Sequence, residues 1–134
     1  MSLVIAFDAD VLIYAASIEH PLGRRIAPLL DADVGRVGSV MLVNELLVKP
    51  LREAEQSLAA AALMRVLGRI ELLPYTAVTA RAALKIGVSY GLRTADAVHV
   101  ATAVEADADV FLTNNKKEFP QHIREIEIVY PQDL

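Results

Sequence analysis

Cysteine and tryptophan are both absent from these 134 residues. Without cysteine there is no disulfide framework and no thiolate metal site, so a zinc ribbon is excluded and a reducing compartment is compatible. Any metal must be held by oxygen or imidazole. Long hydrophobic runs are missing too: the chain is 54% hydrophobic, with a mean hydropathy of +0.39, yet its longest apolar stretch is the short, Ala-rich Leu58 to Met64. A spanning helix needs about 20 such residues. No basic segment precedes the apolar Leu3-Val4-Ile5-Ala6-Phe7, so a secretory signal is not expected. The resulting expectation is a soluble cytoplasmic protein that does not enter a membrane. Positive charge is scarce as well: the net charge is −4 and the pI about 5.3, which argues against a surface that coats polyanions generally, because such binding is mostly phosphate neutralisation. A local basic rim drawn from Arg24, Arg25, Arg36, Lys49, Arg52, Arg93, Lys116 and Lys117 stays open beside the reading of scattered solvated charge. Within it, Lys116 and Arg93 are the candidate substrate contacts. Aromatics make up only 5%, so extensive stacking on bases is not an evident mode.

What is present fits one domain over residues 1–134, large enough to bury roughly two-thirds of the surface its unfolded chain exposes. Leu3 to Phe7 reads as a strand buried on both faces and ending at Asp8. A short helix follows over Val11 to Ala16, His20-Pro21-Leu22-Gly23 breaks it, and a second helix runs near Arg24 to Leu30. Arg36 to Val40 is a weaker strand. Met41 to Val48 is helical, closed by Lys49-Pro50, and Glu53 to Leu67 forms a long Ala/Leu-rich helix ended by Gly68. Ile70 to Leu73 gives a third strand, stopped by Pro74. A helix spans Ala77 to Tyr90 and ends at Gly91, and Thr94 caps the next, Ala95 to Glu105. Val110 to Thr113 and Ile126 to Tyr130 complete five strands. Because parallel neighbours need crossover connections, this alternation implies an α/β fold: a parallel sheet of about five short strands sandwiched by helices.

In such sheets ligands bind beyond the carboxyl ends of the strands. Asp8 ends the first strand and Thr113-Asn114-Asn115 the fourth, so if those strands are neighbours Asp8 and Asn115 face one another. Asp96 lies in the first turn of its helix, where the dipole alone accounts for a carboxylate. Glu45 interrupts an apolar helical stretch and is either a solvent-facing position or a functional one. Asp10 has a plain role as cap of the helix beginning at Val11. His99, three residues after Asp96 and among Val98, Val100 and Ala101, is read as a hydrogen-bonded, half-buried packing residue and not a ligand, and neither His20 nor His122 has metal-ligand spacing to it. Asp109 precedes the fourth strand and is therefore set aside, far from the strand's carboxyl end. Clustered carboxylates repel unless a cation neutralises them, and Mg²⁺ or Mn²⁺ prefers oxygen ligands. Such an ion acidifies water and steadies charge on a leaving oxygen, so the expected reaction is phosphodiester hydrolysis.

At these residues the chain resembles the PIN-domain family, and within it the VapC-type ribonuclease toxins. The likeness is carried by Ile5-Ala6-Phe7-Asp8-Ala9-Asp10-Val11-Leu12-Ile13, Val43-Asn44-Glu45-Leu46, Leu92-Arg93-Thr94-Ala95-Asp96-Ala97-Val98-His99-Val100-Ala101 and Val110-Phe111-Leu112-Thr113-Asn114-Asn115-Lys116-Lys117-Glu118-Phe119. It spans nearly the whole chain, and the order and spacing of the four segments make it specific where each alone is weak. The resemblance implies a helix-sandwiched parallel sheet, a quartet of acids binding Mg²⁺ or Mn²⁺, and RNA cleavage. Asp8, Glu45 and Asp96 then take three catalytic and metal-binding positions. The fourth, usually Asp, falls on Asn115, and Thr113 matches a hydroxyl beside the site. Asn keeps a carbonyl oxygen but loses the charge and cannot act as a base. Asp10, where the family commonly has Asn, restores a charge, which suggests an exchange between Asp10 and Asn115 and adds Asp10 to the metal candidates. A toxin resemblance further implies a small antitoxin covering the acidic cleft, and a homodimer.

Two rivals accompany this reading. Asp8-Ala9-Asp10-Val11 also resembles the nucleophile loop of haloacid-dehalogenase-type phosphatases, with Asp8 as nucleophile and Asp10 as acid/base. That family needs an acidic pair after a later strand, where this chain has Thr113-Asn114-Asn115, and the chain is short for that fold. The other rival is a catalytically weak or inactive PIN-like module that binds RNA or protein.

Overall fold

The apolar run at the start becomes the central strand of the molecule. In the computed structural model, which describes residues 3–17 and 19–134, five strands form one sheet: β1 (Val4–Phe7), β2 (Gly35–Ser39), β3 (Glu71–Leu73), β4 (Val110–Leu112) and β5 (Glu127–Val129). Their order is β3-β2-β1-β4-β5, and every neighbouring pair is parallel. The chain thus leaves β1, builds one side of the sheet, and crosses back to build the other. That reversal opens a crevice at the carboxyl ends of β1 and β4, where such sheets bind ligands.

Among the described residues six α-helices cover the sheet: α1 (Ala9–Ala15), α2 (Pro21–Ile26), α3 (Met41–Glu53), α4 (Leu58–Leu67), α5 (Ala77–Tyr90) and α6 (Thr94–Glu105). Alternation along β1 sorts the core into two layers. Ile5 and Phe7 join Val11, Leu12, Ile26, Leu42 and Leu46 on one face. Ala6 joins Phe111, Ile128, Val98 and Ala101 on the other. Each fully buried Leu, Ile or Phe contributes about 1.5–3 kcal/mol of transfer free energy, and both layers hold the same short strand, so β1 is fixed from two sides.

Several boundaries depart from the sequence reading, each for a local reason. The first helix begins at Ala9, because Asp8 itself is the N-cap, accepting the Ala9 N–H at 2.8 Å; Asp10 is therefore not the cap. His20-Pro21-Leu22-Gly23 does not break a helix but starts one: His20 Nδ1 accepts from Leu22 N and Pro21 takes the first helical position, where its missing N–H costs nothing. Pro50 does not close α3, which runs on to Glu53. The break comes later, over Ala54 to Ser57, where the Ser57 hydroxyl caps α4. Thr94 is the first residue of α6, and the N-cap position belongs to Arg93. Gly91 ends α5 as expected, in the left-handed conformation at φ 66°.

Gly23 serves another purpose. A Cβ there would sit 2.2 Å from Tyr14 O and 2.4 Å from Ser17 O, both backbone atoms, so α2 packs on the end of α1 only without a side chain. Gly23→Ala is expected to lower stability by about 1–3 kcal/mol, the usual cost of overpacking, measured by urea unfolding with an unchanged m-value.

Candidate metal centre

The chemistry gathers where β1 and β4 end side by side. Asp8 follows β1 directly and is 6% exposed. Its backbone N–H donates to Leu112 O, its Oδ1 accepts from Ala9 N, and its Oδ2 accepts from the Thr113 hydroxyl at 2.7 Å. Thr113 is fully buried, and its hydroxyl oxygen in turn accepts Asn115 N at 3.1 Å. Across the β1–β4 pair, then, Asp8 accepts from Thr113, whose hydroxyl oxygen is shared with the Asn115 N–H. Asn115 is exposed and turns its Oδ1 to the Glu118 N–H at 3.3 Å, because a side-chain carbonyl two residues past a strand closes the following turn more readily than it reaches back across it.

Asp10 projects from the first turn of α1 toward the same loop. Its Oδ2 accepts Asn114 N at 3.1 Å, while its Oδ1 is buried without a partner. Burial above all, and then the charge of Asp8, push its carboxyl up to about 7. Asp8 is likewise raised: burial outweighs the hydrogen bond from Thr113 and the influence of His99, and the Glu45 charge adds to the rise. Asp96, in the first turn of α6, is raised by burial and by the charges of Asp8 and Glu118.

Glu45 comes to this neighbourhood from α3, with about a third of its side chain exposed, and accepts from His99 Nε2 at 2.5 Å. His99 is 2% exposed, more deeply buried than the half-buried packing residue expected of it, and its hydrogen-bond partner is Glu45. Burial pulls the imidazole down, whereas the Glu45 hydrogen bond and the charges of Glu45, Asp8 and Asp96 raise it on balance.

These groups share one electrostatic environment without closing on a point: among the described residues, no three His, Asp or Glu side chains form a group that could hold a metal ion. Mutual repulsion acts in that direction on uncompensated carboxylates. The donor set nevertheless suits a hard cation. It consists of oxygen donors with carboxyls strained toward protonation and one orphaned buried oxygen, Asp10 Oδ1, which are the conditions that Mg²⁺ or Mn²⁺ relieves.

Sequence reasoning missed Glu118, 20% exposed in its side chain, 3.9 Å from Arg93 and close enough to raise Asp96. It lies three residues after Asn115, a helical-turn spacing that was the available signal. Of the basic residues, Arg36 is spent on the carbonyls of Arg69, Leu29 and Ala32, and Arg25 on those of Gln132 and Leu134. Both therefore leave the supposed rim. Arg93 stands beside the cleft with 82% of its side chain exposed, and Lys116 lies over the Tyr130 ring at 5.4 Å.

Residues 5–124 match the PIN domain. The chain belongs to the PIN-domain family. Its members are typically nucleases that use divalent metals, and this membership displaces the phosphatase reading of the Asp8-Ala9-Asp10-Val11 loop. Among solved structures, this PIN domain is similar to a toxin–antitoxin complex from Klebsiella pneumoniae, at TM-score 0.73 and 21% identity over 99% of this chain and 100% of that one. It is also similar to VapBC2 from Rickettsia felis bound to a DNA fragment from their promoter, at TM-score 0.75 and 14% identity over 96% and 98%. A third is VapBC-1 from nontypeable Haemophilus influenzae, at TM-score 0.74 and 18% identity over 97% and 99%. At such identities the likeness is one of fold. No curated protein matches the chain by sequence. Among the described residues, no helix is long and apolar enough to cross a membrane.

Proposed function

We propose that residues 1–134 act as one metal-dependent endoribonuclease domain, the toxin of a toxin–antitoxin pair, working in the cytoplasm. The observation that carries this reading is Asp8: a carboxylate at the end of the central strand, fixed by Thr113 and pushed toward protonation by its burial above all and then by the Glu45 charge. Asp8, Glu45 and Asp96, with Asp10 and Asn115 beside them, would hold Mg²⁺ or Mn²⁺. When bound, the ion supplies Lewis-acid chemistry, making water more acidic and neutralising charge on phosphorus-bound oxygens. The protein's own part is positioning. Thr113 locks one Asp8 oxygen, and the brace from Asp10 to Asn114 N holds the loop that bears Asn115. Lys49 and Arg52 follow Glu45 at four and seven residues on α3, one face of the helix. With Arg93 and Lys116 they supply phosphate contacts leading out of the cleft.

The toxin half of this reading draws on the similar solved structures, which are toxin–antitoxin and VapBC complexes. A cognate antitoxin covering the acidic cleft and a homodimer complete it. One observation favours the rival of a weak or inactive binding module: Asn115 brings no charge and its carbonyl oxygen is engaged by Glu118 N.

Incubation of the protein with structured RNA separates the two. Cutting is expected in Mn²⁺ and none in EDTA, with the loss reversed by restoring the metal. No cutting in Mn²⁺ by a folded sample supports the binding module and sinks the nuclease. Turnover of a phosphomonoester in parallel revives the phosphatase.

A further inference from the structure

An imidazole in the wrong surroundings is the feature of this molecule that its assigned parts leave unexplained. His99 lies in the middle of α6, flanked by Val98, Val100 and Ala101, each no more than 1% exposed. Its Nδ1 is buried with no partner, an arrangement that costs free energy wherever it occurs. A leucine would fill much the same space with no orphaned nitrogen, so packing does not account for the ring. What the ring gains is at its other end. There Nε2 meets Glu45 Oε1, 54 residues earlier in the chain and on a different helix. A carboxylate oxygen only accepts, which makes Nε2 the protonated nitrogen and the bond a donation to the acid.

We propose that His99 is a positioning residue of the acidic site: its Nε2–H pins one oxygen of Glu45, holding the carboxylate in one rotamer and leaving the second oxygen available for a divalent cation. Glu45 needs such a device. It sits on the outer part of α3 with a third of its side chain exposed, and a Glu left to itself in water samples many rotamers, each of which must be given up on coordination. Asp8 needs none, since Ala9 N and Thr113 hold it on both oxygens. Hydrogen bonds that orient a metal ligand from behind are worth tenfold to a hundredfold in affinity. The donor of the bond from His99 is almost wholly out of water, and the bond joins α6 to α3.

This assignment rests on the metal-nuclease reading, and calorimetric titration with Mn²⁺ alone separates the two. Wild type is expected to bind. His99→Leu should bind about ten to a hundred times more weakly, whereas His99→Gln, whose amide N–H can stand near Nε2, should recover most of that loss. In a Glu45→Gln background, His99→Leu should change affinity little further, because the two residues act as one. Equal affinity in wild type and His99→Leu, failure of His99→Gln to recover any of the loss, or a full additional loss in the Glu45→Gln background overturns the assignment while leaving the nuclease reading intact. A wild type that binds no Mn²⁺ overturns both. Should His99→Leu fail to fold, nitrogen NMR of the native ring decides: Nε2 should carry the proton, and Glu45→Gln should shift that resonance. A ring protonated only at Nδ1, or one indifferent to Glu45, rules the proposal out.

Discussion

Asp8→Asn is expected to reduce Mn²⁺-dependent RNA cleavage by on the order of a thousandfold while leaving the fold in place. The magnitude follows from removing the most deeply buried charge of the site, since losing one preorganised electrostatic contact in a water-poor cleft typically costs a hundredfold to a thousandfold, and loss of a charged metal donor belongs at the upper end. The selectivity follows from the hydrogen bonds. An Asn oxygen can still accept Ala9 N, preserving the cap of α1, and its amide can turn toward the Thr113 hydroxyl, which accepts as well as donates. The substitution also relieves a carboxyl that burial has raised, so the melting temperature without metal should hold or rise. Single-turnover cleavage and a thermal melt of the same sample check both halves. Cleavage within tenfold of wild type would remove Asp8 from the chemistry.

The second large effect concerns pH and is expected without metal. Asp10 is raised to about 7 in the folded protein, by burial first and by Asp8 next, against an ordinary value of 3.8. The folded state therefore binds this proton more tightly than the unfolded chain between those two values. Stability contributed by Asp10 is fully present below about pH 4 and is lost as pH rises toward 7, with nothing further lost above. The loss should be about 2 kcal/mol from this residue, reduced from the bare conversion of the shift by solvent reaching the carboxyl. Urea unfolding from pH 4.5 to 8 checks it: Asp10→Asn should be more stable than wild type at pH 8, and the two should converge at pH 4.5. Parallel curves would show that Asp10 is not held in its protonated form. Saturating Mn²⁺ should shrink the gap at pH 8, since a ligand that binds only the folded state stabilises it. The same variants settle the exchange of charge suggested between Asp10 and Asn115. If Asp10→Asn leaves Mn²⁺ affinity unchanged, that exchange is refuted; if affinity falls and Asn115→Asp restores it, the two positions share one charge.

The parts of this molecule that sequence made legible are those decided locally. Val4 to Phe7 is a strand because a β-branched, apolar tetrapeptide has few other uses, and Asp8 was conspicuous as the first charge after it. The end of β3 was readable from Pro74 and the end of α5 from Gly91, which act through their own backbone preferences. Pro50 obeyed no such rule. One lost hydrogen bond did not outweigh the burial of Leu42 and Leu46 on the same helix, and α3 continued past it. The site shows the same division. Asp8 and Asp96 could be placed from their own elements. The partner of His99 could not, because the residue that satisfies it lies on another helix and only the tertiary fold brings them together. The use made of the Asn115 side chain was hidden for a related reason: the adjacency of β1 and β4 was anticipated correctly, but the turn after β4 engages the Asn oxygen with the Glu118 N–H. Arg36, counted as surface charge, disappeared into three carbonyls that no one-dimensional pattern announces.

The central place of β1 has a consequence for errors in assembly. Successive residues of a strand point to opposite faces, and β1 is paired on both edges, through Val4, Ile5 and Ala6 to β2 and through Ile5, Ala6 and Phe7 to β4. A slip of a single residue would send Ile5 and Phe7 into the layer meant for Ala6, and would carry Asp8 away from Leu112 O and the Thr113 hydroxyl. Correct registration of the hydrophobic strand and correct placement of the Asp8 carboxylate are therefore a single event.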